Sequence, residues 1–279
     1  MATPEKQLPL KYRLLFRVRT VDEMWAKVII EGDPMVNTFR KLHDLVPDDP
    51  RCNSCHTPFA GFGGVLSRAG LFFSPPSQKN PRFCNSCDTF NMKFPGGAEV
   101  EMTILFVDVR GSTGLAENME AMEFSRLMNR FYETTIDVLI HADAFIDKIV
   151  GDAVTAHFFP GYAGPEHARR AVEAGREILR VTGHGDAGGA WVPVGVGVHT
   201  GLAWVGSIVG AAGVGSDFTA LGDNVNIAAR LASEAAAGEV FVSEAAWRAG
   251  GFSPVGVEER AVDLKGKSEP VVVRVLRIS

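Results

Sequence analysis

With 279 residues, 46 % of them apolar, the chain is long enough for one large domain or two modest ones around a real core, so a folded, soluble protein is expected. A formal net charge of -5 offers no electrostatic footprint for nucleic acid, and no basic run marks an anionic membrane surface. Any anionic substrate must then be held by a local cluster. The first residues, "MATPEKQLPLKYRLLFRVRT", are interrupted by charges every few positions and lack an apolar core of signal-peptide length, which points to the cytoplasm.

In chain order, residues 1–50 read as an N-terminal helical segment. Leu14, Val18, Val21, Trp25 and Val28 recur at alternating spacings of four and three, the seam of an amphipathic helix over 11–31. Two heptads are too short to define a coiled coil, and packing on the protein itself accounts for the seam equally well. Residues 51–98 form a second block that holds all four cysteines in two copies of "CNSC", Cys52 with Cys55 and Cys84 with Cys87. With no other cysteine and no export signal, a disulfide framework is disfavoured and a tetrahedral Cys₄ zinc site leads. An iron–sulfur cluster on the same ligands, a redox dithiol pair and haem attachment through His56 are the other readings. The intervening "HTPFAGFGGVLSRAGLFFSPPSQKNPRF" is too rich in glycine and proline to fold without a staple, which favours a zinc-ribbon-like module.

Composition changes near "FPGGAEVEM", and from residue 99 to 279 strand-like and helix-like segments succeed one another. A strand is predicted at 100–108, a helix at 119–141, a hairpin in "AFIDKIVG" and "AVTAHFF", and a helix in "PEHARRAVEAGREILRVTG". Residues 187–216 carry no charge, yet valine alternates with glycine and the run breaks at "HTG". The segment therefore reads as a glycine-rich hairpin of two core strands at 191–209 and not as a membrane span. A short strand around "DFTALG", a helix in "NVNIAARLASEA" with Asp223 as its N-cap, and strands in "EVFVS" and "VVVRVLRI" complete the series. The order predicts an α+β sandwich with helices on one face of a mainly antiparallel sheet.

Two carboxylates close apolar runs: Asp108 in "ILFVDVRG" and Asp152 in "FIDKIVGDA". If their strands are neighbours, the two charges meet, and like charges at one spot call for a hard divalent cation. "RGST" after Asp108 offers the backbone N–H groups of Gly111, Ser112 and Thr113 to phosphate oxygens. Asn226 and Arg230 stand at i and i+4 of one helix face, and "DLKGKSEP" adds Lys265 and Lys267 around a glycine.

The blocks "ILFVDVRGST", "DKIVGDAV", "VGVHTGLAWVGSIVG", "FTALGDNVNIAARL" and "LKGK", in this order, resemble the catalytic domain of class III adenylate and guanylate cyclases over residues 99–279. The resemblance implies the ferredoxin-like cyclase sandwich, with Asp108 and Asp152 holding two Mg²⁺ or Mn²⁺ ions per site. It implies that Lys148 and Thr219 read the purine. Lysine at the first position marks adenylate cyclases, because it can donate to the adenine N1 acceptor, whereas guanylate cyclases carry glutamate there. It further assigns Asn226 and Arg230 to the ribose and the reacting phosphate, and Lys265 to the terminal phosphates. The implied reaction converts ATP to 3′,5′-cyclic AMP and pyrophosphate at the interface of a homodimer, with residues 1–98 free to receive a regulatory partner. Two positions depart from the family pattern. Gly195 stands where an arginine is common, which removes one triphosphate contact, and Ser112 stands where phenylalanine is usual. His199 reads as a structural core residue. A cyclase-fold module without activity is the competing function, and the metal and transition-state positions it would be expected to lose are all present. A cyclic di-GMP synthase is disfavoured because no "GGDEF"-like turn occurs.

Overall fold

The computed structural model describes residues 7–46, 50–70, 74–78, 80–209, 216–253, 255–267 and 269–278. They form two compact units: residues 1–100 with 204–220, and residues 101–203 with 221–279. Among the described residues no helix is long and apolar enough to cross a membrane.

The first unit opens with α1 (Leu10–Phe16) and α2 (Val21–Ala26), the latter running on as a π-helical turn over Lys27–Glu31. The single helix expected over 11–31 is thus broken. Arg17 takes a left-handed conformation (φ 55°), and Thr20 starts α2 with a capping box in which its hydroxyl accepts from the Glu23 amide while the Glu23 carboxylate accepts from the Thr20 amide. Only the second half of the seam is buried: Val21, Trp25 and Val28 lie inside, while Leu14 is 71 % exposed. The helices α3 (Pro34–His43), α4 (Gly61–Arg68) and α5 (Asn85–Lys93) follow. Trp25 organises this unit. Its ring lies 5.1 Å from Phe218 and 5.9 Å from Phe90, and its indole N–H donates to the Phe94 carbonyl at 2.9 Å.

The second unit contains most of β1 (Gly97–Val109), then α6 (Ser112–Asn118), α7 (Ala121–His141), β2 (Phe145–Val150), β3 (Ala153–Phe158), α8 (Pro160–Ala163) and α9 (His167–Val181). After β4 (Val194–Val209) and β5 (Ser216–Leu221) come α10 (Asp223–Glu234), β6 (Glu239–Ser243), α11 (Glu244–Ala249), β7 (Glu258–Val262) and β8 (Val271–Leu276). The strand order is β2-β3-β1-β4-β6-β8-β7, with β5 paired to β4. β1 with β3, β2 with β3, β6 with β8 and β7 with β8 pair antiparallel, while β4 and β6 run parallel, so the expected α+β sheet with helices is observed, but with helices on both faces and not on the one face expected. One sheet face buries Leu105, Val107, Val154, Ala156, Val196 and Val240 against Phe131 and Leu139 of α7 and Ile178 of α9. On the other, α10 packs Ile227 and Leu231 on Phe241, Val273 and Val275.

The hairpin expected at 191–209 is instead one continuous strand, β4. "HTG" reads as a turn, but its polar groups are satisfied laterally. His199 bonds Ser243 and Asn224, and the Thr200 hydroxyl meets that of Thr103 at 2.7 Å. Gly201 is required for a different reason: a Cβ there would lie 2.5 Å from the Asn224 side chain. Asp223 is likewise not the N-cap expected for α10. Gly222, at φ 148°, holds that position, and Asp223 is the first helical residue, ion-paired to Lys267. Neither α11 nor β7 was expected; β7, "EERAV", is largely exposed and carries no alternating apolar pattern.

Candidate active site and cysteine cluster

The register of β1 against β3 sets Asp108 opposite Ala153, and the Val109 amide donates to the Asp152 carbonyl at 3.1 Å. The strand ends that carry the two carboxylates therefore adjoin, and both residues are half-buried. Each already has a partner. The Arg110 guanidinium pairs with Asp108, and the Ser112 hydroxyl donates to Asp152. Ser112, the departure from the family phenylalanine, thus supplies a polar contact to a site carboxylate. The Tyr132 hydroxyl on α7 donates to the Gly151 carbonyl, which pins the turn that presents Asp152. Gly151 itself takes φ 58°, a conformation that suits glycine. Burial, with the Asp152 charge nearby, pushes the Tyr132 phenol up from its ordinary value. A cleft of about 540 Å³ opens beside Asp152, lined by Ser112, Thr113, Ser125, Asn129 and Tyr132 among others.

Gly111 precedes α6 at φ 67°, and Ser112 and Thr113 begin that helix. Lys148 lies half-buried in β2, opposite Thr155. By register it shares a sheet face with Asp108, since Thr155 and Ala153 alternate on one side of β3. Thr219 is buried in β5, within the other compact unit.

Asn226 is exposed and Arg230 half-buried on α10. The Arg230 guanidinium runs beneath the loop that carries Lys265 and Lys267, and a Cβ at Gly266 would lie 3.4 Å from its Nη1. Glycines on β4 let α10 come this close to the sheet. A Cβ at Gly197 would meet the Ala228 carbonyl at 2.5 Å, and one at Gly195 the Ala235 carbonyl at 2.6 Å. An arginine at Gly195 would collide with α10 on this backbone, so the departure at that position belongs to helix packing.

The start of α10 is held by a directed hydrogen-bond chain. The Asn224 amide donates to the Leu202 carbonyl at 2.7 Å, so its Oδ1 faces His199 Nε2 at 2.9 Å as an acceptor. His199 Nδ1 is then free to accept from Ser243 Oγ at 2.8 Å, while Ser243 Oγ accepts from the Ala246 amide at 3.2 Å. Burial pushes the His199 pKa down from 6.5, in keeping with this neutral tautomer. The structural role expected of His199 holds. The sequence did not reveal Arg110, Tyr132 or Asn224, although "RG" after Asp108 and "DN" before Asn226 lay within motifs already singled out.

In the first unit the four sulfurs of Cys52, Cys55, Cys84 and Cys87 lie within 4.8 Å of one another. Cys55 Sγ is 3.7 Å from Cys84 Sγ, close to the edge of about 3.8 Å that a tetrahedron with Zn–S arms of about 2.3 Å would have. Backbone N–H groups point at the sulfurs: Cys84 N to Cys52 Sγ at 3.2 Å and Cys87 N to Cys84 Sγ at 3.5 Å. Cys84 also caps α5. Burial pushes the Cys52 thiol up, bonding to Cys52 pushes Cys87 up, and that same bonding pulls Cys55 and Cys84 down. Four thiolates cannot share so small a volume without a cation, so the donor set fits a single thiophilic ion. An iron–sulfur cluster spreads its four thiolates over two or four irons and so sets them farther apart than the 4.8 Å within which these sulfurs lie. The strands of a ribbon are reduced here, among the described residues, to bridges at Arg51 with Pro58 and Pro76 with Cys84.

A family model of the adenylate and guanylate cyclase catalytic domain matches residues 97–275. An adenylate cyclase of Anabaena cylindrica is 32 % identical over 145 residues, which is 50 % of this chain and 28 % of that protein. The chain thus spans under a third of this relative's length. Among solved structures, the guanylyl cyclase Cya2 is 28 % identical with a TM-score of 0.57, covering 66 % of this chain and 95 % of that one. The adenylyl cyclase CyaB from P. aeruginosa is also 28 % identical, with a TM-score of 0.55 over 66 % of this chain and 97 % of that one.

Proposed function

The chain belongs to the adenylate and guanylate cyclase family, and from this premise we propose that it is an adenylate cyclase, which forms 3′,5′-cyclic AMP and pyrophosphate from ATP. The observation that carries the choice of base is Lys148 on the same sheet face as Asp108. A lysine N–H donates to adenine N1, an acceptor, while guanine presents an N–H at that position and would face a donor. The buried Thr219 hydroxyl serves the exocyclic amine.

Asp108 and Asp152 hold two Mg²⁺ or Mn²⁺ ions, a fit that rests on paired carboxylates with hard oxygen donors at one place. When bound, these ions lower the pKa of the ribose 3′-hydroxyl and neutralise charge on the phosphates. Taking that role requires Asp108 to exchange its Arg110 pairing, and Asp152 its Ser112 bond, for the ions. The 3′-oxygen forms a bond to the α-phosphorus, the bond from that phosphorus to the pyrophosphate oxygen breaks, and the hydroxyl proton passes to solvent. Arg230 meets the charge that develops on the reacting phosphate, and Asn226 orients the ribose. Lys265 and the backbone N–H groups of Gly111, Ser112 and Thr113 hold the triphosphate.

The active form is a head-to-tail homodimer in which Asp108 and Asp152 of one chain face Lys148, Thr219, Asn226, Arg230 and Lys265 of the other. Exposed aliphatic side chains support such an interface: Ile149 and Val150 at the end of β2, with Leu202 and Leu221, are 47–62 % exposed. The four cysteines hold one zinc ion, and residues 1–98 regulate the cyclase from its N-terminal side.

Incubation of the purified chain with ATP or GTP and Mn²⁺ tests the base. Cyclic AMP is expected as the main product, and Lys148→Glu should weaken ATP use by about 1–3 kcal/mol in kcat/KM. Faster turnover of GTP by the unmodified chain would make it a guanylate cyclase.

A further inference from the structure

β2 is paired to β3 in two registers. Phe145 faces His157 and Ile146 faces Ala156 in the first, while Lys148 faces Thr155, Ile149 faces Val154 and Val150 faces Ala153 in the second. Asp147 is therefore the extra residue of a β-bulge.

Its consequence follows from the period of a strand. Side chains alternate between faces, so in an uninterrupted strand Lys148 would point the same way as Ile146, into the main core. One inserted residue inverts the parity. Lys148 then pairs with Thr155 on the opposite face, the face of His157 and Asp108. Without the bulge the residue that reads the purine would be aimed at Leu105, Val107 and Ala156.

A carboxylate fills the bulge. Asp147 is 4 % exposed, and its Oδ2 lies 3.2 Å from Nε2 of His157, whose side chain is fully buried at 0 %. A buried contact between a carboxylate and an imidazole adds little net stability, because desolvation offsets most of the attraction, but it fixes register because replacing either group leaves the other buried without this partner. His157 belongs to the first register and Asp147 to the point where the second begins, so their contact spans the slip.

We propose that Asp147 and His157 are positioning residues for base recognition, and that their buried pair locks the bulge which turns Lys148 from the core face to the nucleotide face. The proposal rests on the purine-reading role of Lys148, and its test separates the two. Specificity constants for ATP and GTP are measured with Mn²⁺ for the full chain, Asp147→Asn, Lys148→Met and the double variant. Asp147→Asn should lower the ATP-over-GTP ratio about tenfold, more through KM than through kcat, and leave the Mn²⁺ concentration for half-activation unchanged. In the Lys148→Met background the same substitution should leave the ratio where Lys148→Met has already brought it. A ratio unaffected by Asp147→Asn, or lowered equally with and without Lys148, overturns the proposal. His157→Gln removes the other half of the pair and runs the same cycle where Asp147→Asn yields no folded protein. A preference of the unmodified chain for GTP would overturn the adenine reading alone, since the cycle is read as a change in the ratio whichever base leads.

Discussion

The two compact units hold themselves together differently. In the unit that carries Asp108, valine, leucine and isoleucine side chains on β1, β3, β4 and β6 are almost all at zero exposure against α7 and α9. In the N-terminal unit, Leu10, Leu14, Leu45 and Phe62 are 67–77 % exposed, and among the described residues the segment around the cysteines is paired only through isolated bridges. Apolar area suffices for the first. The second packs around Trp25, but its cysteine segment has four sulfurs that converge on one point in place of an apolar core, so loss of a metal ligand there should unfold that segment while the sheet persists. That contrast can be broken at several places.

The largest effect is expected from the metal. Structural zinc on thiolates contributes apparent free energies of about 10–16 kcal/mol at neutral pH. Cys84→Ser is the cleanest probe, because a hydroxyl can still cap α5 by accepting from the Cys87 amide, so only the metal ligand is lost. The variant should contain no zinc by elemental analysis and lose hydrogen-exchange protection in α4 and α5, while α7, α9 and β3 stay protected. Equal loss in both units would mean that they fold as one. Stoichiometric iron with a visible absorption band would replace zinc.

Next comes the division of labour between the carboxylate end of the sheet and α10. Asp108→Asn and Arg230→Ala should each lower turnover by about a thousandfold. Mixed and allowed to exchange, they form heterodimers with one doubly damaged site and one intact site, so activity should return to roughly a quarter of the unmodified level. Persistent inactivity, with exchange confirmed by mass spectrometry, would rule out a shared site.

What the sequence disclosed follows the same contrast. In the sheet unit, continuous apolar runs such as "MTILFVDV" and the 3.6-residue pattern of α9 expose their structure, because the strand is buried on both faces over most of its length and the helix on one. In the N-terminal unit the spacing of the cysteines was legible and the helices were not, since the break after Phe16 depends on one left-handed residue and a capping box. Of the site, Asp108 and Asp152 were readable as carboxylates that close apolar runs. Arg110 on Asp108, and the bulge at Asp147, were not. Both are consequences of register, which involves two strands at once and leaves no local pattern. β4 was misread for a related reason: His199 and Gly201 resemble a turn until Ser243 and Asn224 are seen beside them.

A smaller effect should come from the contact of α10 with β4. Gly197→Ala would place a methyl group 2.5 Å from the Ala228 carbonyl, and overpacking of this kind costs about 1–3 kcal/mol. Because the displaced helix carries Asn226 and Arg230, kcat should fall more than the loss in melting temperature accounts for. A lower melting temperature with unchanged kcat would show that α10 can shift without disturbing the site.

The smallest effect compares the same local device in both units. Thr20 caps α2 and Ser243 caps α11, each through a hydroxyl that accepts from an amide three residues on, and both are buried. They differ in what else the hydroxyl touches. Ser243 also donates to His199 Nδ1, so Ser243→Ala leaves a buried acceptor without its donor and should cost about 2–3 kcal/mol. Burial already holds His199 below its ordinary pKa of 6.5, so the unfolded chain takes up the proton first as pH falls. The contribution of the neutral histidine is complete above about pH 6.5 and declines below it, and the unpaired nitrogen in Ser243→Ala should steepen that decline. Thr20→Ala removes one cap and nothing further, for about 1 kcal/mol. Hydrogen exchange should then accelerate about fivefold in α2 for Thr20→Ala, and by a larger factor in α11 and at the start of α10 for Ser243→Ala. Equal effects at the two sites would mean that the chain from Ser243 through His199 to Asn224 adds nothing to a simple cap.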